Sequence, residues 1–318
     1  MPDVFSASPT IEWKSYVSHA SSLVHALRSV ALYVPDLEKA EQFYTHVWHL
    51  QVVARTGNAI YFAGAGQDHH LLSLHQRDGE TGIRHVTLRA RDRKALDEVA
   101  RRAVNAGGQV VSDVAPCEEP GGGTALVVAD CDGRRFQLVC GDERVEGRLS
   151  DPDQPIRLAH VVLNCHNVDE TQRFMEAVLD FSLSDRTRIM AFMRCNSDHH
   201  TIALGDTDND ALNHIAFLMP DLDSVMRGGG RMRDAGYEIA WGPGRHGPGN
   251  NAFNYFIGPF SEVIEYTAEV EQIDDNYPVG SPSDWTWPPG RIDQWGISVI
   301  PAASLKQAQR SLFFSTHP

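Results

Sequence analysis

Apolar positions along the chain fall into two rhythms that recur in a fixed order. "LRSVALYVPDLEKAEQFYTHVWHL" from Leu27 opens with the period-two alternation of a half-buried strand. An acidic turn and a helical-period segment follow. "LAHVVLNCHNVDETQRFMEAVLDF" from Leu158 repeats the scheme, with Phe174, Ala177, Val178 and Phe181 at helical spacing. "DHHLLSL" from Asp68 pairs with "DHHTIAL" from Asp198, both strand-like. "IRHVTLRARDRKALDEVARRAVNAGGQVVS" from Ile83 pairs with "LNHIAFLMPDLDSVMRGGGRMRDAGYEIAW" from Leu212, and "RRFQLVCGDE" from Arg134 with "EVIEYTAEV" from Glu262.

The four offsets are 131, 130, 129 and 128 residues, so the chain reads as two nearly equal duplicated halves. Within each half the strand–helix–strands unit also recurs. This predicts an α+β fold of four βαβββ modules starting near Leu27, Ile83, Arg157 and Leu212. Residues 25–145 and 156–270 form the two domains, and "DERVEGRLSDPDQP" (142–155) has the charge and Pro content of a linker. Residues 1–24 form an extension and 271–318 a Pro- and Trp-rich tail with a short amphipathic helix over 304–314. Both suit a pocket cover or a subunit contact, so a homo-oligomer is expected. "RGGGR" (227–231) sets three Gly inside a predicted helix, each costing about 1 kcal/mol relative to Ala, and implies a bend or break there. "GPGRHGPGNN" from Gly242 is too rich in Gly and Pro for helix or strand and reads as a turn that brings its backbone close to a ligand.

Composition narrows the function. With 42% apolar and 22% charged residues the 318-residue chain is an ordinary globular protein. Its net charge of −14 argues against nucleic acid or an anionic membrane as partner. It has no long apolar run and no signal-peptide pattern. Cys117, Cys131, Cys140, Cys165 and Cys195 form no C-x-x-C pair, which points to a reduced, cytoplasmic protein and away from thiolate-held zinc.

Aligning the halves shows where chemistry can sit. The second half carries His160, His214 and Glu265 at equivalent strand positions, where the first has Ser29, His85 and Gln137. Two His and one carboxylate occupy one face of an octahedral iron(II) and leave the opposite face open. An ionised Glu inside an apolar strand needs a partner, which a cation would supply. The first half then reads as a copy without metal, and His85 as structural.

These residues resemble the two-domain extradiol ring-cleaving dioxygenases of the vicinal oxygen chelate superfamily, close to catechol 2,3-dioxygenase, over about residues 25–270. The carriers are "LAHVVL", "DHHTIAL", "LNHIAF" and the segment "GPGRHGPGNNAFNYF…EVIEY". The resemblance implies that His160, His214 and Glu265 bind Fe(II), with Mn(II) accepting the same set, and that a catecholic substrate and O2 meet on the open face. It implies acid–base work for His199, with His200 on the opposite face of the strand, and substrate contacts for His246 and Tyr255. Asn254 and the turn "GPFS" (258–261) depart from the family pattern and bear on the pocket wall, for which Phe192, Phe253, Ile189 and Trp241 are candidates. Two other readings keep the fold: a metal-dependent isomerase or thiol transferase, and a metal-free module that sequesters a planar ligand.

Overall fold

The computed structural model describes residues 22–79, 81–147 and 151–315. The first half runs β1 (Val24–Val34), α1 (Leu37–Gln42, continued by a π turn Phe43–Val47), β2 (Gln51–Thr56), β3 (Ala59–Ala63), β4 (Leu72–Gln76), β5 (Gly82–Ala90), α2 (Arg93–Asn105), β6 (Gln109–Pro116), β7 (Thr124–Ala129) and β8 (Arg135–Cys140). The second runs β9 (Arg157–Cys165), α3 (Val168–Leu179), β10 (Ser182–Arg186), β11 (Met190–Arg194), β12 (Ile202–Asp206), β13 (Leu212–Leu218), α4 (Leu222–Asp234), β14 (Trp241–Arg245), β15 (Ala252–Ile257) and β16 (Val263–Ala268), before α5 (Ala303–Ala308).

Each half forms one eight-stranded sheet, ordered β2-β3-β4-β1-β5-β8-β7-β6 and β10-β11-β12-β9-β13-β16-β15-β14. The second order is the first shifted by eight strands, so the sequence repeat is a topological one. In each module the first strand pairs parallel with the last, as β9 does with β12 and β13 with β16. The modules then join antiparallel through their first strands, β9 with β13. Each module helix starts the same way. Asp36, Asp92, Asn167 and Asp221 accept a hydrogen bond from the backbone N–H three residues on, satisfying one of the helix's unpaired donors.

One apolar core spans both halves. Trp48 of the first half stacks on Tyr266 of the second at 3.7 Å, and Tyr266 Oη donates to the Trp48 carbonyl at 2.8 Å. The three-glycine run does not break α4. A Cβ on Gly228 would lie 2.7 Å from the Tyr266 ring, and one on Gly229 2.9 Å from Asn254 Nδ2. The glycines let the helix lie closer to β15 and β16 than any side chain allows, and packing outweighs propensity.

Three further expectations need correction. "WGPGR" is strand β14, paired with β15, rather than a turn. The edge position explains this, since a strand at the end of a sheet tolerates Pro243 without losing a ladder bond on its far side. Residues 198–200 lie in a bend before β12 instead of in the strand. The tail helix ends at Ala308, and Leu312 and Phe314 make isolated bridges to Leu212 and Ile83. Among the described residues no helix is long and apolar enough to cross a membrane. Residues 1–21 of the N-terminal extension lie outside the described part.

Candidate metal centre

Three adjacent strands set the centre. Ala216 on β13 faces His160 on β9 to one side and Glu265 on β16 to the other, and His214 lies two residues before it on the same strand. Period-two alternation therefore puts His160, His214 and Glu265 on one face, with a buried alanine leaving the space between them. Nε2 of His160 and Nε2 of His214 each lie 3.2 Å from Glu265 Oε2. Neighbouring vertices of an octahedron with bonds of about 2.1 Å are about 3 Å apart, so this spacing fits three donors on one metal face.

The electrostatics fit a cation too. Glu265 is wholly buried, and burial alone would raise its pKa, but the imidazoles of His160, His214 and His246 gathered around it hold it well below the usual carboxylate range. Burial lowers His214 to about 4, against the pull of Glu265, so this imidazole offers a lone pair at neutral pH. Its Nδ1 lies 2.8 Å from Asn213 Oδ1, which also accepts from Gln309 Nε2 at 2.9 Å; this fixes the tautomer with Nε2 bare. Asn213 and Gln309 were not singled out in the sequence, where neither carries a motif.

Around the triad stand the other predicted residues. Tyr255 lies directly opposite Glu265 on β15. Its hydroxyl is 3.0 Å from His246 Nε2 and 3.3 Å from His214 Nε2, and burial, with Glu265 beside it, raises its pKa well above the ordinary phenol value. His246 follows β14 and stacks on Phe253 at 4.0 Å, while Trp241 stacks on Tyr255 at 5.0 Å. Gln294 of the tail donates to the His246 carbonyl at 2.6 Å, and the Glu271 N–H to that of Gly249 at 2.9 Å, so the tail is fastened to this loop. Asn251, also missed in the sequence, donates to Thr267 Oγ1 at 2.8 Å and lies 3.5 Å from Glu265 Oε1. Ile189 is 66% exposed, unlike the other wall candidates.

The two neighbouring histidines exchange the places expected of them. The His200 ring packs 4.3 Å from that of His160, whereas His199 turns away, its Nε2 2.7 Å from Asp185 Oδ2. Strand alternation could not select between them, because the chain bends at 198–200.

In the first half, the Arg28 guanidinium stands at the corresponding place, beside Ser29. Its Nη1 lies 2.5 Å from His70 and 3.9 Å from Glu119, and His85 Nε2 is 3.3 Å from Glu119. Ser29 Oγ accepts from Arg28, and Gln137 Oε1 from Thr87. A second cluster, Asp132, His166 and Asp210, lies near the surface, and there Arg134 already pairs with both carboxylates.

The chain matches the Glyoxalase/Bleomycin resistance protein/Dioxygenase superfamily over residues 23–138 and 157–266. It belongs to that superfamily. The two matched spans coincide with the two sheets. Among its relatives, Metapyrocatechase 2 of Cupriavidus necator is 34% identical over 154 residues, 46% of each chain, so that alignment spans about half of the relative's length. The manganese-dependent 2,3-dihydroxybiphenyl 1,2-dioxygenase of Geobacillus genomosp. 3 is 24% identical over 73% of this chain and 81% of its own. The Mn(II)-bound glyoxalase of Novosphingobium aromaticivorans superposes with a TM-score of 0.82 and 35% identity, covering 89% of this superfamily member and 94% of that chain.

Proposed function

We propose that the protein is a metal-dependent extradiol dioxygenase that opens a catecholic ring next to its vicinal hydroxyls with O2. His160, His214 and Glu265 would hold the metal, iron(II) in this reading, and manganese(II) suits the same donors. The observation that carries the proposal is the buried Glu265 carboxylate with an imidazole nitrogen 3.2 Å away on each of two neighbouring strands. A charge so deep in the protein is stable only against a cation or several hydrogen-bond donors. The relatives named as a metapyrocatechase and a dihydroxybiphenyl dioxygenase support the reaction class.

Bound there, the ion would supply Lewis acidity to a diol hydroxyl and a redox route between diol and dioxygen. The chain's own residues do the rest. His200, against His160, accepts the proton that a diol hydroxyl releases and returns it when the ring opens, replacing His199 in that role. Tyr255, kept protonated by burial and by Glu265, donates its hydrogen bond to a substrate oxygen. His246 holds that hydroxyl in place from 3.0 Å. Phe192, Phe253 and Trp241 give the site aromatic walls that suit a planar ring and exclude water.

A metal-dependent isomerase is the second reading, favoured by the 35% identity to a Mn(II)-bound glyoxalase. Against it, the ligand triad lies within one half, and the matching residues of the other half are engaged by Arg28 and Thr87. Anaerobic purification with metal analysis, followed by oxygen uptake over a panel of substituted catechols, separates the two. About one iron or manganese per chain with oxygen uptake and a yellow product is expected; isomerisation of a thiol adduct without oxygen uptake would establish the second reading instead.

A further inference from the structure

We propose that His199, Asp185 and Tyr277 are positioning residues that fix the tautomer of His200; the inference rests on the dioxygenase reading above for its catalytic consequence. A continuous chain of polar contacts leads away from the centre. His200 Nδ1 lies 3.1 Å from His199 Nδ1, His199 Nε2 lies 2.7 Å from Asp185 Oδ2, and Tyr277 Oη donates to that same oxygen at 3.2 Å. Asp185 and His199 are both wholly buried, and Asp185 Oδ1 accepts from the Gly280 N–H at 2.7 Å.

The direction of each hydrogen bond follows from the acid at the end. An ionised carboxylate only accepts, so His199 must carry its proton on Nε2. In the neutral imidazole Nδ1 is then a bare acceptor, and the only proton that can lie between the two Nδ1 atoms belongs to His200. His200 is therefore the Nδ1–H tautomer, and its Nε2 keeps a free lone pair with which to take a proton. Without the carboxylate either tautomer of the pair is available.

The molecule contains its own comparison. In the first half, His69 and His70 stand in the same relation, with Nδ1 atoms 3.1 Å apart and rings at 88° against 84° in the second half. Asp185 pairs with Phe192 across β10 and β11, and the equivalent pair across β2 and β3 is Ala54 with Tyr61. The half that holds Arg28 thus keeps the histidine pair and has no carboxylate at that strand position.

The tail completes the device. The His199 N–H donates to the Glu271 carbonyl at 2.9 Å, the Ile273 N–H to that of Ser197 at 2.8 Å, and the same segment delivers Tyr277 and Gly280 to Asp185. Residues 271–280 thus hold both the bend that carries the histidines and the acid that orients them.

Long-range nitrogen–proton spectra of full-length protein with isotope-labelled histidine, recorded with and without diamagnetic zinc(II), read the tautomer directly. The expected result is His200 protonated on Nδ1 with Nε2 bare. Asp185→Asn, which can present an amide N–H to His199, should reverse both tautomers. In the iron-loaded enzyme the same variant should lower kcat about 10- to 100-fold, with KM within about twofold and metal content unchanged. His200 protonated on Nε2 in the wild-type protein would overturn the proposal, as would an Asp185→Asn enzyme with wild-type tautomers and kcat. Absence of oxygen uptake by the iron-loaded wild-type protein would instead count against the dioxygenase reading and leave the tautomer result standing.

Discussion

Tyr44 Oη donates a 2.7 Å hydrogen bond to Glu262 Oε1, joining the π turn of the first half to the carboxyl that precedes β16 of the second. Glu262 is 1% exposed, and its other oxygen accepts from the Phe260 N–H at 2.8 Å. Burial raises its pKa to about 7, although Tyr44 and the backbone N–H groups pull the other way. A folded pKa above the unfolded value of 4.5 means that protonation favours the folded state. The contribution is full below 4.5 and is lost as pH rises to about 7. Glu262→Gln mimics the protonated acid, giving an N–H to Tyr44 and an oxygen to Phe260. Urea unfolding should show this variant more stable than wild type at pH above 7, by at most about 3 kcal/mol, and nearly equal at low pH. An unchanged difference across that range would refute the assignment.

His214→Ala should abolish metal retention while the fold persists. In the proposed centre the imidazole would supply one of three donors, but its removal from β13 leaves the strand's ladder with β9 and β16 intact. Metal analysis and circular dichroism on one sample check this. Full metal occupancy in the variant would remove His214 from the ligand set.

Gly228→Ala places a methyl 2.7 Å from the Tyr266 ring. Helix propensity favours alanine by about 1 kcal/mol. Overpacking against a ring locked between Trp48 and Arg231 costs about 1–3 kcal/mol and should win. A net loss of about 1 kcal/mol in unfolding free energy is expected, whereas Gly230→Ala, with open space at its Cβ, should not lose stability. A stabilised Gly228→Ala would show that the close approach is not required.

Arg28→Met removes the buried guanidinium that stands among His70, Glu119 and Asp142. An uncompensated buried charge costs about 3 kcal/mol, so thermal unfolding should begin at a clearly lower temperature. Metal content should stay at the wild-type level, because the triad lies in the other half. Wild-type thermal stability would show that the guanidinium is not needed there.

The repeat, its four modules and the grouping of His160, His214 and Glu265 on one face were legible in the chain because each rests on local periodicity. A two-residue alternation fixes which side chains share a face, and equivalent positions in a duplicated sequence share an environment. Hence His160, His214 and Glu265 could be picked out by comparing the halves. What depended on the third dimension was not legible there. That His200 rather than His199 packs against His160 turned on a bend at 198–200, and the glycines of α4 had no reason until Tyr266 and Asn254 were seen against them. Asp185 looks in the sequence like an ordinary polar strand residue; it becomes a buried acceptor only because residues 271–280, far along the chain, fold back over it. Local pattern sets the direction of a side chain, but which distant segment meets it is decided by packing.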